Sequence, residues 1–439
     1  MIFLLDLILV LNLFLAFKYF KSLVAPAVLM GFGMLIAALI STLHYETWEM
    51  SNFSPLSVLI LGGCPFLFTI FCIIFSRFCT TYRFTKRLVF DLETIDWYAL
   101  KIFYLCSIFV FVFHVMYIYL MMKNYFHIDN FSELLMARRA DYNSDETLFE
   151  LPFISKQFSF IFNILTIISI WLFFLIKFYI PNYKKITKKI QYYIIVLTIL
   201  RVTEGLFTGA KGNVLPVFFY FFFFYILFYY SSIGMFETST SLKKVIFLGL
   251  FFGALFFSSF NMIIGRNINN YNNSFELISE YCGAEIKNFD IYLDRNFKST
   301  NGFGAHTFAG IYRWLHPDAT YQMYRFESVN GYSLGNVYTQ FGNIHVDFGS
   351  IGSFVMVLFM ALVITFIYNR ALILINNPVA INVWVIIYCW IMYQIFFCFF
   401  AGQFTSQLFG PGGIKYGIGA LIFLFFFKKI MICNQRKLV

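Results

Sequence analysis

Long apolar runs separated by short polar segments dominate the chain. A bilayer crossing needs about 20 mostly apolar residues, and about 11 runs meet that requirement. They lie at 2–17, 22–43, 57–76, 98–122, 157–180, 191–208, 213–232, 245–263, 349–369, 380–400 and 413–427. The expected fold is an all-α polytopic membrane protein, a single integral membrane domain over 1–439. Its N-terminal stretch MIFLLDLILVLNLF lacks a basic leader and a small-residue cleavage site, so it reads as a retained helix.

The connecting segments alternate in charge. Lys18 and Lys21 follow the first run, Arg77, Arg83, Lys86 and Arg87 the third, and Lys184, Lys185, Lys188 and Lys189 the fifth. Lys243 and Lys244 precede the eighth run, Arg370 follows the ninth, and Lys428, Lys429, Arg436 and Lys437 close the chain. These clusters share one side, which the positive-inside rule makes cytoplasmic. The N-terminus is then outside and the C-terminus cytoplasmic. Two outward segments are long, 123–156 and 264–348, and loops of that length are generally functional.

Composition agrees with this pattern. Hydrophobic residues make up 60% of the chain and charged residues 12%, with 63 Phe and 29 Tyr. The mean hydropathy is +0.75. Soluble proteins carry roughly 25% charged residues, so a soluble enzyme, a disordered chain and a disulfide-stapled secreted domain are all excluded. The net charge of +10 is explained by the inner clusters and does not call for nucleic acid. Of the eight cysteines only Cys282 falls in an outer loop, which leaves it no partner there for a disulfide.

The chain lacks a Gly-rich phosphate loop, an HExxH helix, a CxxC pair and an Asp-x-Asp pair. Neither a nucleotide, a metal nor another cofactor is expected. Cations on the outer side remain to be explained. Arg201 lies near the outer end of the sixth run, Lys211 at the following turn, and Arg266 just beyond the eighth. Arg201 either pairs with Glu204, three residues on and on the same face, or joins Lys211 and Arg266 in gripping a phosphate. Arginine suits phosphate because its planar fork makes paired, charge-assisted bonds. Arg313 and Arg325 in the second long segment are further candidates for such a grip.

In SELLMARRADYN, Arg138 and Arg139 sit side by side on a short amphipathic helix. They either face solvent, neutralised by Glu133 and Asp141, or contact an anionic lipid or glycan. For a general base there are three candidates: Asp347, His345 and His316. Asp347 alternatively caps the helix that follows it. Histidine titrates near working pH, but a loop histidine also serves structure. Aromatic residues crowd the same segment, Tyr338 among them, and suit the C–H faces of sugar rings.

Four pieces between Arg266 and Gly352 carry a family likeness: GRNINNYNN, EYCGAEIKNFDIYL, GFGAHTFAGIYRWL and NVYTQFGNIHVDFGSIG. With the large outward loops bearing arginines, this stretch resembles the Wzy-type oligosaccharide repeat-unit polymerases, which make O-antigen and capsule in bacterial inner membranes. Where related chains show a Gly-x-Arg-Gly-like turn this one has TGAKGN, so Lys211 keeps the charge without the fork. The resemblance implies a metal-independent glycosyltransferase acting on undecaprenyl-diphosphate-linked oligosaccharides, with membrane lipids and a chain-length regulator protein as further partners. Two other readings remain: an O-antigen ligase-type transfer to the lipid A core, and a flippase for lipid-linked oligosaccharide. A membrane scaffold is the third and least supported.

Overall fold

The computed structural model describes residues 1–78, 95–143, 149–180, 185–207, 214–233, 274–295, 303–317 and 326–432. In chain order the helices are α1 (Ile2–Phe20), α2 (Pro26–Leu43), α3 (Pro55–Phe78), α4 (Trp97–Phe126), α5 (Phe131–Asn143) and α6 (Phe153–Tyr179). They continue as α7 (Lys185–Phe207), α8 (Leu215–Ile233), α9 (Ser274–Cys282), α10 (Ala284–Asp294) and α11 (Ala309–Leu315). After an antiparallel hairpin of β1 (Glu327–Val329) and β2 (Tyr332–Gly335) come α12 (Gln340–Ala371), α13 (Ile373–Asn376), α14 (Val383–Phe396), α15 (Gln403–Leu408) and α16 (Pro411–Ile432).

Eight described helices are long and apolar enough to cross a bilayer: α1 to α4, α6 to α8, and α12 with its continuation to Asn376. The chain is an α-helical, multi-pass membrane protein. The run expected at 245–263 lies outside the described residues. The run expected at 380–400 forms the 14-residue α14 and a 3-10 turn at Phe397–Phe399. The ninth expected run begins earlier than its apolar pattern, at Gln340.

Local rules account for the helix ends. Pro26 opens α2, where its missing N–H costs nothing. Asp96 caps α4 by accepting from the N–H groups of Tyr98 and Ala99 at 3.1 and 2.9 Å. Lys21 closes α1 in the left-handed region, donating to the Phe17 carbonyl. Burial in α1 follows helical spacing, with Leu5, Leu9, Asn12 and Ala16 inside and Phe3, Leu7, Leu11 and Phe14 outside. Large apolar side chains on the outer face are stable only against lipid.

The described residues fall into two compact units. One gathers the described parts of Met1–Arg83, Tyr271–Ala371 and Ile391–Tyr416. In it α12 packs along α3, and α1 packs on α2 and α3. The short α10 is buried from Ala284 to Asp290, so its polar groups need internal partners. Asp290 accepts from Ser54 N at 2.9 Å and Ser57 Oγ at 2.6 Å, at the start of α3. Lys287 Nζ lies 3.2 Å from the other Asp290 oxygen and donates to the Glu49 carbonyl. Ser41 Oγ donates to the Gly283 carbonyl at 2.6 Å. Gly283 permits this approach because a Cβ there would meet Ile40 at 2.7 Å.

The second unit holds the described parts of Phe84–Asn270, Leu372–Trp390 and Gly417–Val439. In it α4 packs along α7, and α6 packs on α7 and α8. Phe111 and Phe162 stack with centroids 3.7 Å apart. Trp171 Nε1 donates to the Pro378 carbonyl at 2.9 Å. Leu134 and Leu135 seat α5 against Val115, Ile118 and Met122 of α4.

Asp290→Ala removes the acceptor for the start of α3 and strands the buried Lys287 charge. Breaking a buried pair from one side costs about 3–5 kcal/mol, so thermal unfolding of the detergent-solubilised protein should show a single large drop in midpoint.

Candidate functional site

The head of α12 differs from its shaft. Gly349 interrupts the helix with φ 65° and ψ −172°, a conformation open essentially to glycine alone. Before the break lies GNIHVDF, half-buried and polar, and after it the apolar shaft begins. Two contacts bridge the break: His345 Nε2 meets Ser350 Oγ at 3.2 Å, and Ser353 Oγ donates to the Gly349 carbonyl at 2.8 Å.

Asp347 sits two residues before this break. Its carboxylate does not cap its own helix. It accepts from the backbone N–H of Thr307 at 2.6 Å and of His306 at 3.1 Å, so it clamps the turn leading into α11. The same turn is held from behind, where Thr405 Oγ1 donates to the Thr307 carbonyl and Gln340 Nε2 donates to Thr405 Oγ1.

An aromatic wall faces His345. The Phe289 and Tyr292 rings stand edge-on to its imidazole at 5.9 and 6.1 Å, and Tyr338 stands edge-on to Tyr292 at 6.0 Å. Phe289 and Tyr292 share one face of α10, and Tyr338 precedes the head of α12. Burial, and then the Asp347 charge, push the Tyr292 phenol up to about 12. Burial lowers the His306 imidazole below its ordinary value, with Asp347 opposing. The result is a half-buried carboxylate near the Tyr292 phenol and the buried His306, with the half-buried His345 imidazole against a ring surface. His345 Nδ1 has no hydrogen-bond partner among the described residues. That nitrogen is itself buried, and an imidazole takes a proton from a hydroxyl only where the hydroxyl reaches it.

The other described candidates have surroundings of their own. His316 ends α11 with an exposed ring 4.9 Å from Tyr312, and Arg313 is exposed on the same turn. Arg138 pairs with Asp141 at 2.6 Å and lies over the Phe149 ring, which answers its charge locally. Arg139 is half-buried beside it. In the second unit Arg201 Nη1 donates to Glu204 at 2.7 Å, and the other Glu204 oxygen meets His114 Nε2 at 3.2 Å. All three side chains are buried, so the arginine charge is balanced inside the bundle. Lys211, Arg266 and Arg325 lie outside the described residues.

His306 and Tyr292, which the sequence placed in the outer loop without a role of their own, enter the site, and His114 and Glu285 are residues that sequence reading did not name. His114 carried a signal, being ionisable inside an apolar run. Glu285 shares a helix face with Phe289 and Tyr292 by its spacing. It is 1% exposed, and both its oxygens lack a partner among the described residues. The stretch GYSLG at 331–335 also fits the Gly-x-Ser-x-Gly pattern of a nucleophile elbow. That motif needs a strand-to-helix turn, whereas Ser333 lies on a hairpin strand with its hydroxyl 3.3 Å from Glu280. Its serine therefore has no nucleophile geometry.

No protein-family model matches the chain, and comparison with curated proteins and with solved structures gives no match.

Burial holds the Glu285 carboxyl well above the ordinary glutamate value of 4.5. The folded state keeps this proton where the unfolded state has lost it, so the contribution is full below that value and is lost as pH rises. Glu285→Gln should therefore be more stable than the parent at neutral and alkaline pH. The difference should vanish towards pH 4 when unfolding midpoints are compared across the range.

Proposed function

We propose that this protein polymerises polyprenyl-diphosphate-linked oligosaccharide repeat units at the outer face of a bacterial inner membrane. The observation that carries this reading is the half-buried His345, with an aromatic wall beside it and Asp347 two residues on, at the head of a long apolar helix. A lipid-linked glycan presents its sugar at that boundary. The resemblance of the 266–352 stretch to Wzy-type polymerases supports it, and the basic segments on the opposite side support an outward location.

In the reaction, a hydroxyl at the non-reducing end of a single lipid-linked unit attacks the anomeric carbon of the growing glycan. The bond from that carbon to the diphosphate oxygen breaks, and polyprenyl diphosphate leaves with the bonding pair. With its proton on Nε2 against Ser350, His345 offers the Nδ1 lone pair to the hydroxyl proton. Asp347, engaged by two backbone donors, holds the turn beside it. Charge on the departing diphosphate calls for fixed cations, each worth about 100- to 1000-fold in rate. Lys211, Arg266, Arg313 and Arg325 are the candidates, since Arg201 has its charge answered by Glu204. The diphosphate linkage supplies the driving force, so no nucleotide is consumed.

A second reading draws on one feature. The buried Arg201–Glu204–His114 cluster inside apolar helices is the kind of group that lines a pathway through a bundle, as a flippase requires.

Purified protein given a defined undecaprenyl-diphosphate repeat unit should yield a ladder of polymer with and without EDTA. His345→Ala should slow chain growth about 100- to 10,000-fold, and Arg266→Ala should abolish long chains. Glycan transfer only to added lipid A core would replace the proposal with a ligase. Movement of the lipid-linked unit across vesicles without elongation would replace it with a flippase.

A further inference from the structure

Beyond the Gly349 break, α12 exposes an apolar stripe. Ile351, Val355, Phe359, Leu362 and Phe366 recur at helical spacing, with Ile351 82% exposed. From Ile351 to Phe366 the helix rises about 22 Å, most of the thickness of a hydrocarbon core of about 30 Å. This stripe is the lipid-facing side of a spanning helix, and Ile351 stands at its end next to the polar head.

The stripe does not stop there. Phe348, one turn before Ile351, packs edge-on against Phe303 at 4.8 Å, and Phe303 is itself 85% exposed. Phe308 lies 6.3 Å from Phe348 and 5.9 Å from Phe409, and Phe409 lies 5.2 Å from Phe359 of the stripe. The turn at 303–308 is thus joined by rings to the lipid-facing surface. Helix α11 follows directly and starts against α15, where Gly310 lies on the Ser406 backbone. One turn later Trp314 is 69% and Leu315 58% exposed. In water these would be unpartnered apolar groups on a short helix. At a bilayer boundary a tryptophan is in its preferred position, its ring among acyl chains and its N–H at headgroup level.

We infer that residues 303–315 lie in the outer membrane–water interface, with Phe303, Trp314 and Leu315 inserted among lipid acyl chains beside the end of the α12 stripe. The partner is the lipid surface itself. Asp347 clamps this same segment through His306 and Thr307. The carboxylate–imidazole cluster is thereby held at headgroup depth. That placement does not depend on the polymerase reading, although it suits any substrate whose reacting group is tethered to lipid.

The test uses the full-length protein in phosphatidylcholine vesicles brominated either near the headgroup end or near the methyl end of the acyl chain. The chain has six tryptophans, so Trp314 is read as the difference between the parent and Trp314→Phe. The expected difference spectrum is blue-shifted, resists aqueous iodide, and is quenched more by the shallow bromines than by the deep ones. This matches insertion about 5–10 Å below the surface. Leu315→Asp should lose the blue shift while its unfolding midpoint stays near that of the parent. A red-shifted, iodide-quenched Trp314 would overturn the inference. So would a Trp314 shielded from both iodide and bromine, because protein would then cover it. Chain-growth activity is not read, so this result is separate from the polymerase test.

Discussion

A carboxylate taken out of water must be met by donors, and the described fold is organised around this requirement. Asp290 meets it with the start of α3 and with Lys287, which fixes the buried α10 in place. Glu204 meets it with Arg201 and His114, tying α7 to α4 inside the second unit. Asp347 meets it with two backbone N–H groups of a distant turn. In each case the carboxylate joins segments far apart in sequence, and its removal exposes the partners as well as itself. Glu285 is the contrast: its side-chain oxygens have no side-chain partner among the described residues, and burial raises its carboxyl well above the ordinary glutamate value.

Gly349 lets one helix serve two environments. Its shaft needs a continuous hydrogen-bonded backbone because lipid offers no partners, while its head needs polar side chains facing protein. A positive-φ residue at the junction separates the two by interrupting the helix there. Ser350 and Ser353 bridge the interruption, so the head stays registered to the shaft. The aromatic wall and the clamped turn both hang on this head, and the chemistry proposed for the protein inherits its position from a single glycine.

Much of the fold was legible because bilayer length is a strict ruler. Seven of the expected runs coincide with helices that can cross a membrane within a few residues of their limits, from α1 to α8 with α5 excepted. The ninth was legible only in its shaft, since its head is too polar to register as part of a span. Pairing within one helix was also legible: Arg201 with Glu204 and Arg138 with Asp141 both follow three-residue spacing. Contacts across the chain were not. Asp347 and His306 are 41 residues apart, and His114 and Glu204 are 90. A cap at the following helix was the natural expectation for Asp347, but Gly349 turns the backbone away and the carboxylate reaches a different turn.

By itself the sequence determined the solvent. So many large apolar side chains, in runs of spanning length with cations between them, are stable only in a bilayer, and that conclusion needs no coordinates. It also determined which residues were available for chemistry. Only the tertiary structure decided which of them meet: it set His345 beside Phe289 and Tyr292 and tied Asp347 to the turn at His306 and Thr307, and it left His316 and Arg313 exposed. The physical reason is range. Hydrophobic transfer is a property of each segment alone, whereas a hydrogen bond or ring contact acts over a few ångströms and depends on how distant segments are folded together.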